Sequence, residues 1–320
     1  MPEIRLSVVI PVFNGKKYIQ DTLDSLAVLD SLLACEFIFQ NCHSTDGTTD
    51  ILDTFCLNHN NRFHYNEQDQ GQSDAINRGM VRASGRWVTW LCADDIILPE
   101  LVPALAEADR NGADVVYGDV IFVHNGSSTP AIGTETYSTG VLAKRRLMIQ
   151  QPGTCILRKV WQDACGVQLQ FNWAMDYDLF LRSETAQKKF LRIREFLAVI
   201  RVHSEAKTSS GSIHRMLELW SILWQSHRRR PAFFRLRPYF VYGLEYIIKC
   251  LEQGATPDLF RLRRVILLVL HRFFWLAAGA AERRDIQQRF QNLPTEVTSL
   301  IHKMADRGME PRMNERNRNG

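Results

Sequence analysis

Residues Asp69 to Asp95 read DQGQSDAINRGMVRASGRWVTWLCADD, and this stretch constrains the fold more than any other. Gly71 and Gln72 open a helical pattern in which Ala75, Ile76, Gly79, Met80 and Ala83 recur on one face. Gly85 stands where a helix C-cap belongs. Trp87 to Leu91 then reads as a short buried strand that delivers Asp94 and Asp95 at its carboxyl end. In an open α/β sheet, ligands bind in the crevice beyond the carboxyl ends of the strands. Two adjacent carboxylates there suit a hard divalent cation that holds a phosphate-bearing ligand.

The flanking chain alternates between strand and helix patterns, which makes the class α/β. Leu6 to Val12 is an apolar, β-branched run that reads as a buried parallel strand. After an Asn14-Gly15 turn, Tyr18, Ile19, Leu23, Leu26 and Leu29 form a helical stripe. Phe37 to Gln40, Phe63 to Asn66, Asp114 to Val123 and Leu197 to Val202 read as further strands, and Leu98 to Ala108 as a helix. Ser44, Thr45 and Asp46 can satisfy free backbone donors and cap the helix that carries Ile51, Leu52 and Phe55. Asn125 to Thr139, rich in Gly, Ser and Thr, reads as a loop.

The spacing of Asp69, Gly71, Asp74, Ala75, Asn77 and Gly79, then Ala83, Gly85, a strand and Asp94-Asp95, resembles family 2 glycosyltransferases of the GT-A fold. The resemblance runs from residue 5 to about 210 and implies a Rossmann-like, mostly parallel sheet flanked by helices, with an α-helical C-terminal extension. It places Pro11, Val12 and Asn14 on the loop that touches a nucleotide base. Asn41 stands where the family usually carries an Asp that accepts a hydrogen bond from the base; its amide can both accept and donate. Asp74 and Arg78 would flank the ribose and phosphates, and Asp94 would complete the donor site. The metal, Mg²⁺ or Mn²⁺, falls to Asp94 if the tip is aligned as D-x-D with Cys92 first, or to Asp95 if it is an isolated pair.

On the acceptor side, Gln151 to Arg158 resembles the family's strand there, and Asp176 in WAMDYDLFLR takes the position of the catalytic base. Asp178 would cap that helix or support its neighbour. Arg201, His203 and Lys207 match a loop of the acceptor and diphosphate side, where His203 can bind the metal or, protonated, donate to the diphosphate. Residues 203 to 211 would order as a lid. Asp119, in a Y-G-D run, either lines the site or caps an edge. The implied function is an inverting, metal-dependent transfer of sugar from a UDP, dTDP or GDP donor to a hydroxyl of a saccharide or lipid-linked acceptor, in cell-surface polysaccharide synthesis. Asn41 and Cys92 also motivate a non-catalytic nucleotide-sugar-binding scaffold. A nucleotidyltransferase needs a Gly-rich loop after the first strand, and this chain has Val12-Phe13-Asn14-Gly15-Lys16.

At 320 residues and 45% hydrophobic, the chain has material for a large core. Seven cysteines without a C-x-x-C pair argue against a disulfide framework or zinc knuckle and for a reducing compartment. Pro2, Glu3 and Arg5 interrupt any signal-peptide pattern, so a cytoplasmic protein is expected. The net charge of +4 is uneven: residues 1–204 are net acidic, and the later part carries the basic excess. Residues 211–307 read as basic amphipathic helices in which Phe233, Phe234, Tyr239 and Phe240 alternate with Arg235 and Arg237. Val265 to Ala281 is the best apolar run, but His271 and Arg272 interrupt it. Such helices suit the inner face of an anionic plasma membrane, held peripherally; packing on the catalytic domain or dimerisation is the alternative. No nucleic-acid-binding module is recognisable. Residues 308–320 are polar and basic and read as a disordered tail.

Overall fold

A computed structural model of the chain describes residues 4–124, 127–131, 142, 149–203, 212–226 and 280–308. Among the described residues, nine strands form one sheet flanked by helices. The first half runs β1 (Leu6–Val12), α1 (Ile19–Leu32), β2 (Cys35–Asn41), α2 (Thr48–Cys56), β3 (Arg62–Asn66), α3 (Gln72–Arg82) and β4 (Trp87–Trp90). Then come β5 (Ile96–Ile97), α4 (Leu101–Asn111), β6 (Val115–His124), β7 (Ser127–Ala131), β8 (Thr154–Leu157), α5 (Arg158–Asp163), α6 (Met175–Thr185) and β9 (Phe190–Val202). The described C-terminal helices are α7 (Ser212–Ser226), α8 (Ala280–Gln291) and α9 (Thr295–Gly308).

The sheet order is β3-β2-β1-β4-β8-β6-β9-β5, with β7 on β6. The half from β3 to β4 is parallel throughout, with β1 paired to β2 from Leu6↔Cys35 to Val12↔Asn41. Beyond β4 the sheet is mixed: β8 runs antiparallel to both β4 and β6, β9 parallel to β6, and β5 antiparallel to β9. In such a sheet the carboxyl ends of the parallel strands are where a ligand crevice is expected. Part of the stretch expected as a loop is a strand: β7 pairs with β6, and His124 faces Ser127 across it. The residues between them in sequence are Asn125-Gly126, the dipeptide that most favours two-residue hairpin connections.

Strand periodicity divides the core between the two faces of the sheet. Leu6, Val8 and Ile10 pack with Leu23, Leu26, Phe37, Trp87 and Leu105 on one face. Val9 and Ile38 pack with Ile76, Met80, Trp90, Tyr177 and Phe180 on the other. A third cluster joins Ile96, Ile121 and Val199 to Ile286, Ile301 and Met304, so α8 and α9 lie on the sheet. Ile222 and Leu223 of α7 are buried in the second cluster. The described parts of the C-terminal region thus pack on the sheet and its helices, and no described helix is long and apolar enough to cross a membrane. Residues 227–279, with the aromatic and arginine-rich stretches expected at a membrane surface, lie outside the described residues, as do 204–211 and the tail after Gly308. Asp119 neither lines the crevice nor caps an edge. It is fully buried between Arg192 of β9, at 3.2 Å, and Arg289 of α8, at 2.7 Å, and pins α8 to the sheet.

Two glycines let α3 and β4 approach β1. A Cβ on Gly79 would lie 2.3 Å from Val9 Cγ1, so α3 sits closer to β1 than any side chain would permit. Gly85 is not the expected left-handed cap, because the helix ends at Arg82 with an extended Ala83. Gly85 instead passes over β1, where its N–H donates to Ser7 Oγ at 2.8 Å and a Cβ would meet Ser7 N at 2.7 Å. Gly79→Ala is expected to destabilise the protein by about 1–3 kcal/mol, the usual range for overpacking, because Val9 is a fully buried, stiff β-branched residue. The urea unfolding midpoint measures this, and an unchanged midpoint would refute the close-approach explanation.

Candidate active site

The loops that follow β1 and β2 are stitched together. The Asn14 N–H donates to Ser44 Oγ at 2.8 Å, and Asn14 Oδ1 accepts the Thr45 N–H at 2.9 Å. The Lys16 N–H donates to Asp46 Oδ2 at 2.9 Å, while Asp46 Oδ1 accepts from Thr48. Burial works to raise the Asp46 carboxyl, but the hydrogen bonds from Thr48 and Lys16 prevail and hold it below its ordinary value. Val12, 3% exposed, pairs in register with Asn41 at the carboxyl end of β1, next to Pro11. Asn41 is fully buried. Its Nδ2 lies 3.0 Å from Thr49 Oγ1 and 3.2 Å from His64 Nε2, and its Oδ1 accepts from Ser44 N and Ser44 Oγ. The amide expected to meet a base is therefore engaged at both ends within the protein, beneath the crevice. Phe13, which sequence reasoning passed over, is 67% exposed on the same loop.

The first turn of α3 forms the next wall. Asp69 Oδ1 accepts the Gly71 N–H at 2.8 Å, and Asp74 Oδ2 accepts the Gln70 N–H at 3.0 Å. Arg78 pairs with Asp74 at 2.9 Å and donates to the Gln68 carbonyl. Asp74 and Arg78 thus shape the 68–71 turn and stand at the helix mouth, where N–H groups and dipole favour an anion. Gln72 Nε2 lies 3.3 Å from Cys92 Sγ, and Ser73 Oγ donates to the Phe171 carbonyl at 2.8 Å and lies 2.9 Å from Met175 Sδ. Consecutive residues of one helical turn therefore touch the acidic tip beyond β4 on one side and the start of α6 on the other.

At that tip, the ligand atoms of Cys92, Asp94 and Asp95 lie within 4.8 Å of one another. Asp94 Oδ2 is 2.8 Å from His203 Nε2, and the His203 ring packs on Tyr18 with centroids 4.7 Å apart. Asp95 is 5% exposed, and its Oδ1 accepts the Arg201 N–H at 3.1 Å. Burial, and then the neighbouring Asp94 carboxylate, push the Asp95 carboxyl well above its ordinary range. Two carboxylates with an adjacent imidazole fit a divalent cation such as Mg²⁺ or Mn²⁺, whereas the Cys92 thiol is a soft ligand that adds little for a hard ion. Arg201 departs from expectation. Its guanidinium is not presented to a diphosphate: the residue is 3% exposed, paired with Asp21 at 2.7 Å, donating to the Met304 carbonyl of α9 and lying over Tyr18. At the tip its N–H meets the Asp95 carboxylate and its guanidinium Nε donates only to the Asp94 carbonyl, at 3.4 Å.

Across α3, Asp176 is the second residue of α6, half-buried, with Oδ1 accepting its neighbour's Tyr177 N–H at 2.7 Å. Asp178, in the same first turn, is buried and paired with Arg182 at 2.8 Å; burial raises its carboxyl against the pull of Arg182. Gln151 is buried behind β4, where its Nε2 donates to the Trp90 carbonyl at 2.6 Å and holds the strand end that carries the acidic tip. One contributor had no sequence signal. Glu218 of α7 accepts the N–H groups of Asn172, Trp173 and Ala174 at the entrance to α6.

Residues 7–178 match the family model described as glycosyl transferase family 2. A PGL/p-HBAD biosynthesis glycosyltransferase of Mycobacterium bovis is 35% identical over 119 residues, covering 36% of this chain and 46% of that protein. The uncharacterized glycosyltransferase YibD of Escherichia coli is 31% identical over 142 residues, covering 43% and 41%. The aligned part thus spans under half the length of these relatives. Among solved structures, Staphylococcus aureus TarS 1-349 in complex with UDP-GlcNAc matches with a TM-score of 0.59 at 17% identity, over 95% of this chain and 88% of that one. The mannosyltransferase PcManGT of Pyrobaculum calidifontis, in complex with GDP-Man and Mn²⁺, matches at 0.54 and 14% identity, over 95% and 85%. At these identities the structural likeness establishes a shared GT-A-type fold.

Proposed function

The chain belongs to glycosyl transferase family 2, and from that premise we propose that it is an inverting, metal-dependent glycosyltransferase. It moves a sugar from a nucleotide-diphosphate donor to a hydroxyl of a saccharide or lipid-linked acceptor, in cell-surface polysaccharide synthesis. One observation carries this reading: the acidic tip and the turn bearing Asp176 both touch the first turn of α3, through Gln72 and Ser73. Residues 1–210 hold the site, residues 211–307 a helical region that partly packs on it, and 308–320 a polar tail. The basic, aromatic-rich 227–279 stretch suits docking at an anionic, cytoplasm-facing membrane, where a lipid-linked acceptor would lie.

The donor nucleotide lies in the crevice formed by Pro11, Val12 and the stitched loops of Asn14 and Asn41. Asp74 and Arg78 set the helix mouth that faces ribose and phosphate. Asp94 and Asp95, with His203 alongside, would hold Mg²⁺ or Mn²⁺. When bound, that cation offsets the negative charge that builds on the diphosphate leaving group. Asp176 takes the proton of the acceptor hydroxyl as its oxygen attacks the anomeric carbon from the face opposite the leaving group. A single displacement gives inverted configuration. Gln151 and the Arg201 backbone keep the strand end and Asp95 in place. The named ligands of the structural relatives, UDP-GlcNAc in one and GDP-Man with Mn²⁺ in the other, support a nucleotide sugar and a divalent ion.

The test is a panel of UDP-, dTDP- and GDP-sugars with Mn²⁺ or Mg²⁺. One donor is expected to give nucleoside diphosphate and a product of inverted anomeric configuration. EDTA should abolish turnover and added Mn²⁺ restore it. Binding of donors with no turnover on any acceptor would favour the scaffold reading instead, and turnover that survives EDTA would overturn the metal dependence.

A further inference from the structure

We propose that Glu218 is a positioning residue for the proton-accepting carboxylate: from α7, it holds the backbone turn that presents Asp176. The proposal rests on the reading of Asp176 as the base. The first N–H groups of a helix have no partner within it. The N-cap of α6 is Ala174, which has no side-chain acceptor, and no side-chain cap bond forms there. A carboxylate from elsewhere instead holds the three residues that lead into the helix. Glu218 Oε1 accepts the Asn172 N–H at 2.8 Å, and Oε2 accepts the Trp173 and Ala174 N–H groups at 2.8 and 2.9 Å. These are charge-assisted bonds at the positive end of a helix dipole, where an anion is most effective. They fix three consecutive peptide groups that end two residues before Asp176.

The same helix holds the loop a second way. His214, one turn before Glu218 on the same face, stacks on Trp173 with centroids 5.7 Å apart and planes at 13°. Ile222 and Leu223, further along α7, are buried in the core, so the carboxylate is fixed to a packed element. His203 at the cation tip and Glu218 at the base turn stand fifteen positions apart in sequence. One short stretch of chain therefore has one end on each half of the site. A base must sit within hydrogen-bond reach of the hydroxyl it deprotonates, and displacements of about 1 Å can cost on the order of a hundredfold in rate.

The experiment compares Glu218→Ala, Glu218→Gln and Asp176→Asn with the wild type in the full chain. Amide hydrogen exchange reports on the 171–178 segment. Titration with UDP or GDP plus MnCl2 reports nucleotide affinity. Nucleoside diphosphate release from UDP-GlcNAc or GDP-mannose, with water as acceptor, reports kcat and donor KM. In Glu218→Ala, exchange at 172–174 is expected to rise at least about tenfold, one lost hydrogen-bond equivalent. Its kcat should fall roughly 30- to 100-fold with donor KM and nucleotide affinity unchanged. Glu218→Gln keeps one acceptor oxygen but turns an NH2 toward the remaining N–H, so it should recover only part of both losses; if the Ala variant does not fold, Gln still shows the same split at smaller amplitude. Unchanged exchange at 172–174 overturns the proposal. So does faster exchange with full kcat, which would mark Glu218 as a helix cap with no bearing on the base. Full turnover in Asp176→Asn would instead sink the base assignment, and the exchange data would still decide whether Glu218 holds the turn.

Discussion

Asp176→Asn is expected to lower sugar transfer by roughly 10²- to 10⁴-fold, the span that a positioned general base contributes, while nucleotide binding and Tm stay close to wild type. The substitution removes the basic carboxylate and keeps the side chain's shape. Asn keeps an Oδ1 that can accept the Tyr177 N–H now bound at 2.7 Å, so the start of α6 should persist. The nearest carboxylate in sequence cannot stand in, because Asp178 is buried and committed to Arg182. Arg182 in turn donates to the Gly166 carbonyl, so freeing Asp178 would cost local structure as well. Initial rates with the donor identified in the panel, alongside a UDP or GDP titration, measure the effect. Turnover within a few-fold of wild type, in a variant that binds nucleotide normally, would show that another group removes the acceptor proton.

The stretch from Asp69 to Asp95 was legible because its signals are local. Helical periodicity, a short apolar strand and two adjacent carboxylates need no partner elsewhere to be recognised, and α3, β4 and the acidic tip stand where that pattern puts them. Gly85 was misread for a physical reason. A glycine just after a helix serves equally a left-handed cap or a close backbone approach, and only the packing against Ser7 tells them apart. The early part of β9 was hidden because Arg192, Arg194 and Glu195 break its apolar run, although Phe190 and Ile193 still face the core. The signal for β7 was present in Asn125-Gly126 but was outweighed by the loop-like composition around it. The roles of Arg201 and Glu218 could not be read from sequence at all. The partner of Arg201 is Asp21, at the other end of the chain, and Glu218 acts on backbone N–H groups, which leave no mark on side-chain pattern. Asn41 illustrates the same limit: the resemblance placed its position near the base, and the company of Thr49, His64 and Ser44, which engages its amide within the loops, leaves no mark in the sequence pattern.

Asp95→Asn is expected to move stability and activity in opposite directions. In the metal-free protein, burial and then the Asp94 carboxylate raise the Asp95 carboxyl well above its ordinary value of 3.8. The folded state therefore holds this proton more tightly than the unfolded state does. Linkage gives the sign: the contribution of Asp95 is most favourable at low pH and is lost as pH rises from the ordinary value through the raised folded one, then stays flat. At neutral pH the wild type bears a buried carboxylate beside a second one, and the neutral amide does not. The metal-free variant should melt higher than wild type at pH 7, and the gap should close as pH falls toward 3.8. The Asn Oδ1 can keep the Arg201 N–H, now 3.1 Å away, so the surrounding packing should survive. Activity should fall at least about a hundredfold, since charge neutralisation by a bound cation supplies several kcal/mol to the transition state. A cation that binds only the folded state raises Tm by mass action, so Mn²⁺ should stabilise the wild type and do so far less in the variant. Asp94→Asn should share the losses of activity and of the Mn²⁺ shift without the same gain, because Asp94 is more exposed and already paired with His203 at 2.8 Å. Thermal melts of the three proteins with EDTA and with Mn²⁺, across pH 4 to 8, separate these outcomes. An Asp95→Asn protein that keeps the full Mn²⁺ shift would remove Asp95 from the cation site and return that role to Asp94 alone; one that melts below wild type at pH 7 without metal would overturn the destabilising buried carboxylate.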